Sequence, residues 1–157
     1  MTFDPQEQYD KIYRYCYFKL RNRERAEDVT QETFLRYLEH YSFTDTVSVQ
    51  KCLYTIARNL CVDEYRRKPT DALEGTPPHP FGEEDWIMTL SVRTALARLS
   101  REEQELLLLR YVNEVPVAVI GTLVGQSRFS VYRRLTAAVN RFREELRKEE
   151  SCETLEK

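Results

Sequence analysis

With 157 residues, only 4 glycines and 32% charged residues, the chain has room for one medium domain or two small ones. That composition suits soluble helices better than a turn-rich sheet protein. The 24 Lys and Arg against 26 Asp and Glu give a net charge of -2, so the total does not mark a nucleic-acid binder and only the distribution of charge can. No stretch has the continuous apolar length of a membrane span, and the first residues lack a charged start followed by an apolar run, so a cytoplasmic protein without membrane insertion is expected. Cys16, Cys52, Cys61 and Cys152 show no CxxC spacing, and His40 and His79 lie in other surroundings. No metal site and no cofactor are therefore expected, and Cys16 and Cys52, on apolar helical faces, read as buried free thiols.

From Tyr9 to Leu20 the apolar positions Tyr9, Ile12, Tyr13, Cys16 and Leu20 recur at helical spacing, with Lys11, Arg14 and Lys19 outside. Asn22 is placed to cap the next helix, AEDVTQETFLRYLEHY, whose buried stripe is Ala26, Val29, Thr33, Phe34, Tyr37, Leu38 and Tyr41. Its other face carries Asp28, Gln31, Glu32, Leu35 and Glu39, and a leucine among acids and an amide suits docking to a basic partner. Plain solvent exposure fits the same spacing. After the polar interval SFTDTVS, a third helix starts at Ser48, with Val49, Leu53, Ile56, Ala57 and Leu60 inward and Lys51, Thr55, Arg58, Asn59, Val62 and Arg66 on another face. Tyr54, Arg58, Cys61 and Tyr65 run down its edge. Interleaved tyrosine and arginine can stack on unpaired bases and bind the phosphates between them, or the tyrosines can close the rim of the core.

Residues 69–85 include Pro77, Pro78, Pro80 and two glycines, with Asp71, Glu74, Glu83, Glu84 and Asp85, and no basic residue falls between Lys68 and Arg93. Lacking a helical period and apolar mass, the segment reads as a flexible acidic linker. Trp86, Ile87 and Leu90 begin a helix ending near Leu99, and Ser100 with Glu103 forms an S-x-x-E capping box for a helix whose Leu107, Leu108 and Tyr111 point to the core. Pro116 fits the first turn of the next helix. Within residues 116–135, PVAVIGTLVGQSRFSVYRRL, Gly121 sits inside one short helix, Gly125 in a turn and Val131 inside the next, the spacing of a helix-turn-helix with Ile120 and Val124 beside Val131. Ser127 is a good N-cap for the second helix, whose Arg128, Phe129, Ser130, Tyr132, Arg133 and Arg134 suit a DNA major groove. An ordinary helical hairpin with a basic surface has the same local pattern. Beyond Arg147 the polar tail KEESCETLEK is expected to fray.

AEDVTQETFLRYL, then CLYTIARNLCVDEYRRK, an acidic Pro-rich spacer, LARLSREEQELLLLRYV and the helix-turn-helix together resemble a bacterial RNA polymerase sigma factor of the extracytoplasmic function (ECF) group. The likeness runs from about Tyr9 to Arg147. It implies an all-α protein of two small helical domains: a region 2 domain at 1–68, a linker at 69–85, a region 4 domain at 86–148 and a polar tail at 149–157. The resemblance assigns Asp28, Gln31, Glu32, Leu35 and Arg36 to the clamp helices of the large subunit of core RNA polymerase. It assigns Tyr54, Arg58, Asn59, Asp63 and Arg66 to reading and opening the minus-ten element, with the loop at residues 43–48 a pocket for an extruded base. Arg128, Ser130, Tyr132, Arg133 and Thr136 fall to the double-stranded minus-thirty-five element, with Arg134 partly structural, and the second domain to the polymerase flap. An anti-sigma protein is a further partner the family allows.

This sequence departs from the pattern at Cys52, where a tryptophan often stands, at Gln126, usually apolar, and at Tyr132, commonly basic. No phosphate-cradling loop or nucleophile and base pair suggests catalysis, so no catalytic residue is assigned. The other functions compatible with the residues are a helix-turn-helix repressor or activator acting without core polymerase, and a helical adaptor that does not bind promoter DNA.

Overall fold

A computed structural model describes residues 4–67 and 90–155, with side chains to residue 151. The proposed linker at 69–85, Trp86 and Ile87 lie outside the described residues. The chain divides into two compact units, one built on the helices before residue 68, with residues 122–125 grouped to it, and one on the rest of the chain after residue 89.

The first unit has three helices, α1 (Pro5–Leu20), α2 (Arg23–His40) and α3 (Thr46–Arg67), each packed against the other two. Helix α1 starts where Asp4 Oδ1 accepts from the Gln6 N–H with Pro5 in the first turn, and closes on Arg21 in a left-handed conformation. Asn22 caps α2 as expected, accepting from the Arg25 N–H at 3.0 Å. Helix α3 begins two residues earlier than its sequence suggests, because Asp45 Oδ2 accepts from the Ser48 N–H at 2.9 Å. That hydrogen bond is the main reason the Asp45 carboxyl titrates below its ordinary value.

Because α1 faces two neighbours, its buried arc is wider than a single stripe: Ile12, Tyr15, Cys16, Tyr17, Phe18 and Leu20 are buried, while Tyr9 and Tyr13 are only half-buried. Tyr37 is the last buried residue of α2, so Leu38 and Tyr41, expected inside, are exposed. Helix α3 buries Val49, Gln50, Leu53, Tyr54, Ala57 and Cys61. Ile56 and Leu60 move to the rim and Tyr54 moves in, against the ring of Tyr15 edge-on at 5.6 Å between centroids. Cys16 and Cys61 are buried free thiols, whereas Cys52, expected to be buried, is half-exposed.

The elements after residue 89 are α4 (Leu90–Ala97), α5 (Arg101–Leu107), a π-helical turn (Leu108–Val112), α6 (Val117–Val124) and α7 (Arg128–Leu155). The Ser100–Glu103 capping box forms in both directions, at 3.1 and 3.0 Å. Gln104 Nε2 donates to the Leu96 carbonyl at 2.6 Å, a second donor to an acceptor at the end of α4 that also takes the Leu99 N–H at 3.1 Å. Nothing in the sequence announces the π turn. The Asn113 N–H reaches back five residues to the Leu108 carbonyl at 2.9 Å, and the extra residue rotates the chain beyond it. Leu107 and Leu108 remain buried, but Tyr111, expected inward, is 61% exposed while Leu109 and Val115 fill the core.

Helices α4 and α5 pack on α7. The tail does not fray at Arg147: α7 continues to Leu155, and Arg98, just past α4, pairs with Glu145 at 3.4 Å and Glu149 at 2.6 Å on its outer turns.

Candidate partner and nucleic-acid interfaces

On α2 the residues Asp28, Gln31, Glu32 and Arg36 are all exposed, and Leu35 is 53% exposed, so all five residues assigned to polymerase stand in the open on one helix. Glu32 and Arg36 pair at 3.0 Å one turn apart, which on an exposed helix orders the side chains more than it stabilises the fold. Beside this face, α2 and α3 border an open cleft of about 910 Å³ lined by Asp28, Val29, Glu32, Arg36 and, from α3, Leu60, Asp63, Glu64, Arg66 and Arg67. Asp63 and Arg66, assigned to DNA, thus share a groove with three residues assigned to polymerase.

One partner of that wall is fixed from within. Arg25, 8% exposed, donates through Nε to Glu64 Oε1 at 3.2 Å and through Nη2 to the Glu64 carbonyl at 2.8 Å, tying the start of α2 to the end of α3. Arg67 donates to the other carboxylate oxygen at 2.8 Å. The Arg67 hydrogen bond, helped by the Arg25 charge, holds the Glu64 carboxyl below its ordinary range despite partial burial.

Among the residues assigned to the minus-ten element, Asn59, Asp63 and Arg66 are exposed and Arg58 is half-buried, but Tyr54 has no exposed surface. A ring with 0% exposure has no face to offer a base, so in this structure Tyr54 belongs to the core. The available aromatics are elsewhere. Tyr37, Tyr41 and Phe43 form a column of near-parallel rings with centroids 6.4 and 6.0 Å apart, Tyr41 and Phe43 being 46% and 43% exposed. Tyr41 and Phe43 open on a pocket of about 320 Å³ completed by Ser48, Lys51, Cys52, Thr55 and Ile56. Partial burial there pushes the Cys52 thiol above its ordinary pKa. Helical spacing alone puts Tyr41 in the core; only its place past the covered part of α2 shows it to be a rim residue.

Between α6 and α7 the turn folds back closely on Gly121, where a Cβ would lie 2.7 Å from the Gln126 carbonyl oxygen and 3.8 Å from a Val131 methyl, and Gly125 turns the chain with φ +70°. Val131 is fully buried beneath the turn with Ile120, while Val124 is half-buried. Ser127 Oγ accepts from the Ser130 N–H at 3.2 Å and starts α7. This is helix-turn-helix geometry. Arg128, Tyr132, Arg133 and Thr136 are exposed on the first turns of α7, and half-buried Ser130 donates from its hydroxyl to Gln126 Oε1 at 3.1 Å. That bond gives the polar Gln126 a use behind the turn. Arg134 lies 3.8 Å from Glu102, with both side chains exposed.

Residues 6–69 match the Sigma-70 region 2 family, and residues 89–142 match Sigma-70, region 4. Over 84% of this chain and 80% of the relative, the sequence is 32% identical to the ECF RNA polymerase sigma factor SigL of Mycobacterium tuberculosis. The chain belongs to the ECF sigma factors. It is also 29% identical to the ECF RNA polymerase sigma factor SigW of Bacillus subtilis, over 89% of this chain and 83% of SigW. The sigma factor RpoE of Bartonella quintana, solved in complex with the anti-sigma factor NepR, shares the fold with a TM-score of 0.65 at 17% identity, covering 89% of this chain and 92% of that one. In this sigma factor α7 runs past the region 4 match, carrying the Glu145 and Glu149 partners of Arg98. Among the described residues, no helix is long and apolar enough to cross a membrane.

Proposed function

We propose that this sigma factor binds core RNA polymerase, directs it to promoters with two recognition elements and assists strand opening at the downstream one. The observation that carries this reading is the combination in one chain of the open Asp28, Gln31, Glu32, Leu35 and Arg36 face with a helix-turn-helix that presents Arg128, Tyr132, Arg133 and Thr136 outward. The α2 face docks on the clamp helices of the large subunit, and the second unit meets the flap while α7 lies in the major groove of the minus-thirty-five element. Ser130, tied to Gln126, acts from the edge of that contact. In the first unit Arg58, Asn59, Asp63 and Arg66 serve the minus-ten element.

An extruded base enters the Tyr41, Phe43 and Lys51 pocket, stacking on the rings with the ammonium near the phosphate. Tyr54 supports this surface from below. The protein itself performs no bond chemistry and works in the cytoplasm, since sigma factors are regulators and the reaction belongs to the polymerase. An anti-sigma protein, the kind of partner RpoE has in its complex, is proposed as the inhibitor of the free molecule. A repressor acting without polymerase is not favoured, because it would have no use for the α2 face.

Run-off transcription with sigma-free core enzyme and a genomic promoter library tests the proposal. The expected result is discrete starts that depend on the added protein. Transcription indistinguishable from core enzyme alone on every template would refute it.

A further inference from the structure

The recognition helix carries an aromatic side chain for which neither its own fold nor the proposed contacts of its neighbours have a use. At about 100° per residue, Phe129, Arg133 and Thr136 lie on the side of α7 opposite Val131, Leu135 and Ala138, which are buried. Tyr132 flanks this outermost ridge at about 60°, whereas Arg134 lies about 140° round, nearer the buried side. Phe129 is 74% exposed, and the guanidinium of Arg133 lies 5.5 Å over its ring, within cation–π range. A ring left this far out in water contributes little to folding. Together with Arg133 it sets an apolar surface beside a cation on the outermost ridge, which suits a DNA major groove, where thymine C5-methyl groups are the apolar features among phosphates and polar base edges.

We propose that Phe129 is a sequence-reading residue: its ring packs on the C5-methyl of a thymine in the upstream promoter element and holds Arg133 toward a neighbouring guanine. The inference rests on the promoter-binding role proposed for this helix. The i,i+4 separation corresponds to about 6 Å along the helix, so the guanine stands one or two base pairs from the thymine at roughly 3.4 Å per pair. Stacking on Phe129 restricts the long arginine to one side of the helix, favouring a paired contact to guanine O6 and N7 over a wandering phosphate contact. In this arrangement Phe129 supplies a contact of its own and also positions Arg133.

The test uses the full-length protein bound to core polymerase. Selection from a randomised upstream element is expected to yield a thymine one or two pairs from a guanine. In binding assays, replacing that thymine by deoxyuridine, which lacks only the methyl, should weaken wild-type affinity about fourfold, the worth of one buried methyl-sized group. Phe129→Ala should bind both templates equally. Arg133→Ala should lose about tenfold or more of the preference for guanine while keeping the thymine-to-deoxyuridine difference.

Circular dichroism should show Phe129→Ala folded as the wild type. A selected element without that thymine, a wild type indifferent to the methyl, or a Phe129→Ala variant that still senses it would each overturn the inference, even with sigma-dependent starts intact. Loss of a protein partner, with base preference unchanged, would assign Phe129 to protein contact instead and overturn it too. Absence of any sigma-dependent start would count against the broader function.

Discussion

Gly121 and Gly125 lie one helical turn apart and are glycine for different reasons. At Gly121 the obstacle is backbone: the carbonyl of Gln126 would stand 2.7 Å from a Cβ, and that carbonyl belongs to the residue whose N–H donates to the Gly121 carbonyl at 2.9 Å. At Gly125 a Cβ would meet nothing within 4 Å, and only φ +70° disfavours other residues. Gly121→Ala is therefore expected to destabilise the second unit by about 1 to 3 kcal/mol, as overpacking against a fixed neighbour does. Gly125→Asn should cost less than about 1 kcal/mol, since asparagine tolerates the left-handed region. Thermal unfolding of both variants decides this, and equal losses would contradict the steric account.

Glu64 gives a residue-scale prediction of another kind. Its folded-state pKa is depressed, so the stability it contributes is fully present above the ordinary glutamate value and is lost as pH falls through the folded one. Urea unfolding at about pH 7 and at about pH 3 should therefore show a smaller loss on acidification for Glu64→Gln than for the wild type. Identical pH dependence would mean that the Arg25 and Arg67 contacts do not survive in solution.

At the scale of the element, α3 shows how far helical periodicity can be trusted. The helix is apolar over more than half its circumference, so Ile56 and Leu60 on one side and Tyr54 and Cys61 on the other are all acceptable core residues by spacing. What selects between them is the neighbour. Tyr15 of α1 supplies an edge for the Tyr54 ring, and the buried arc turns toward it. Tyr54→Ala should then lower stability by about 3 to 5 kcal/mol, the range for emptying a buried aromatic site. Tyr41→Ala and Phe43→Ala should cost less than about 1 kcal/mol yet slow permanganate-detectable promoter opening. Normal opening in both variants would remove the pocket from the mechanism.

The π turn is a second case. No propensity distinguishes LLRYV from an α-helical turn, and the extra residue that puts Tyr111 outside is set by how Leu109 and Val115 must fill the core on either side of it. Helix caps are easier to read. Asn22, Ser100 and Ser127 act on N–H groups three positions away, so the sequence holds both partners.

For the whole molecule, the decisive surface is charged and lies on one helix. Asp28→Lys combined with Glu32→Lys should abolish co-purification with core polymerase while leaving helical content unchanged, because both side chains are exposed. Retained binding would withdraw the α2 face from that role.

The sequence by itself was enough for the helical class, the helix-turn-helix, the caps and the exposed α2 face, since each depends on neighbours within about one turn of helix. Only the tertiary structure decided that Tyr54 is core and Tyr41 rim, that Asp63 and Arg66 share a cleft with Asp28 and Glu32, and that α7 outlasts its polar composition through Arg98. In each of these cases the determining partner lies on another helix. Spacing along one helix cannot report which of two plausible faces that partner will cover.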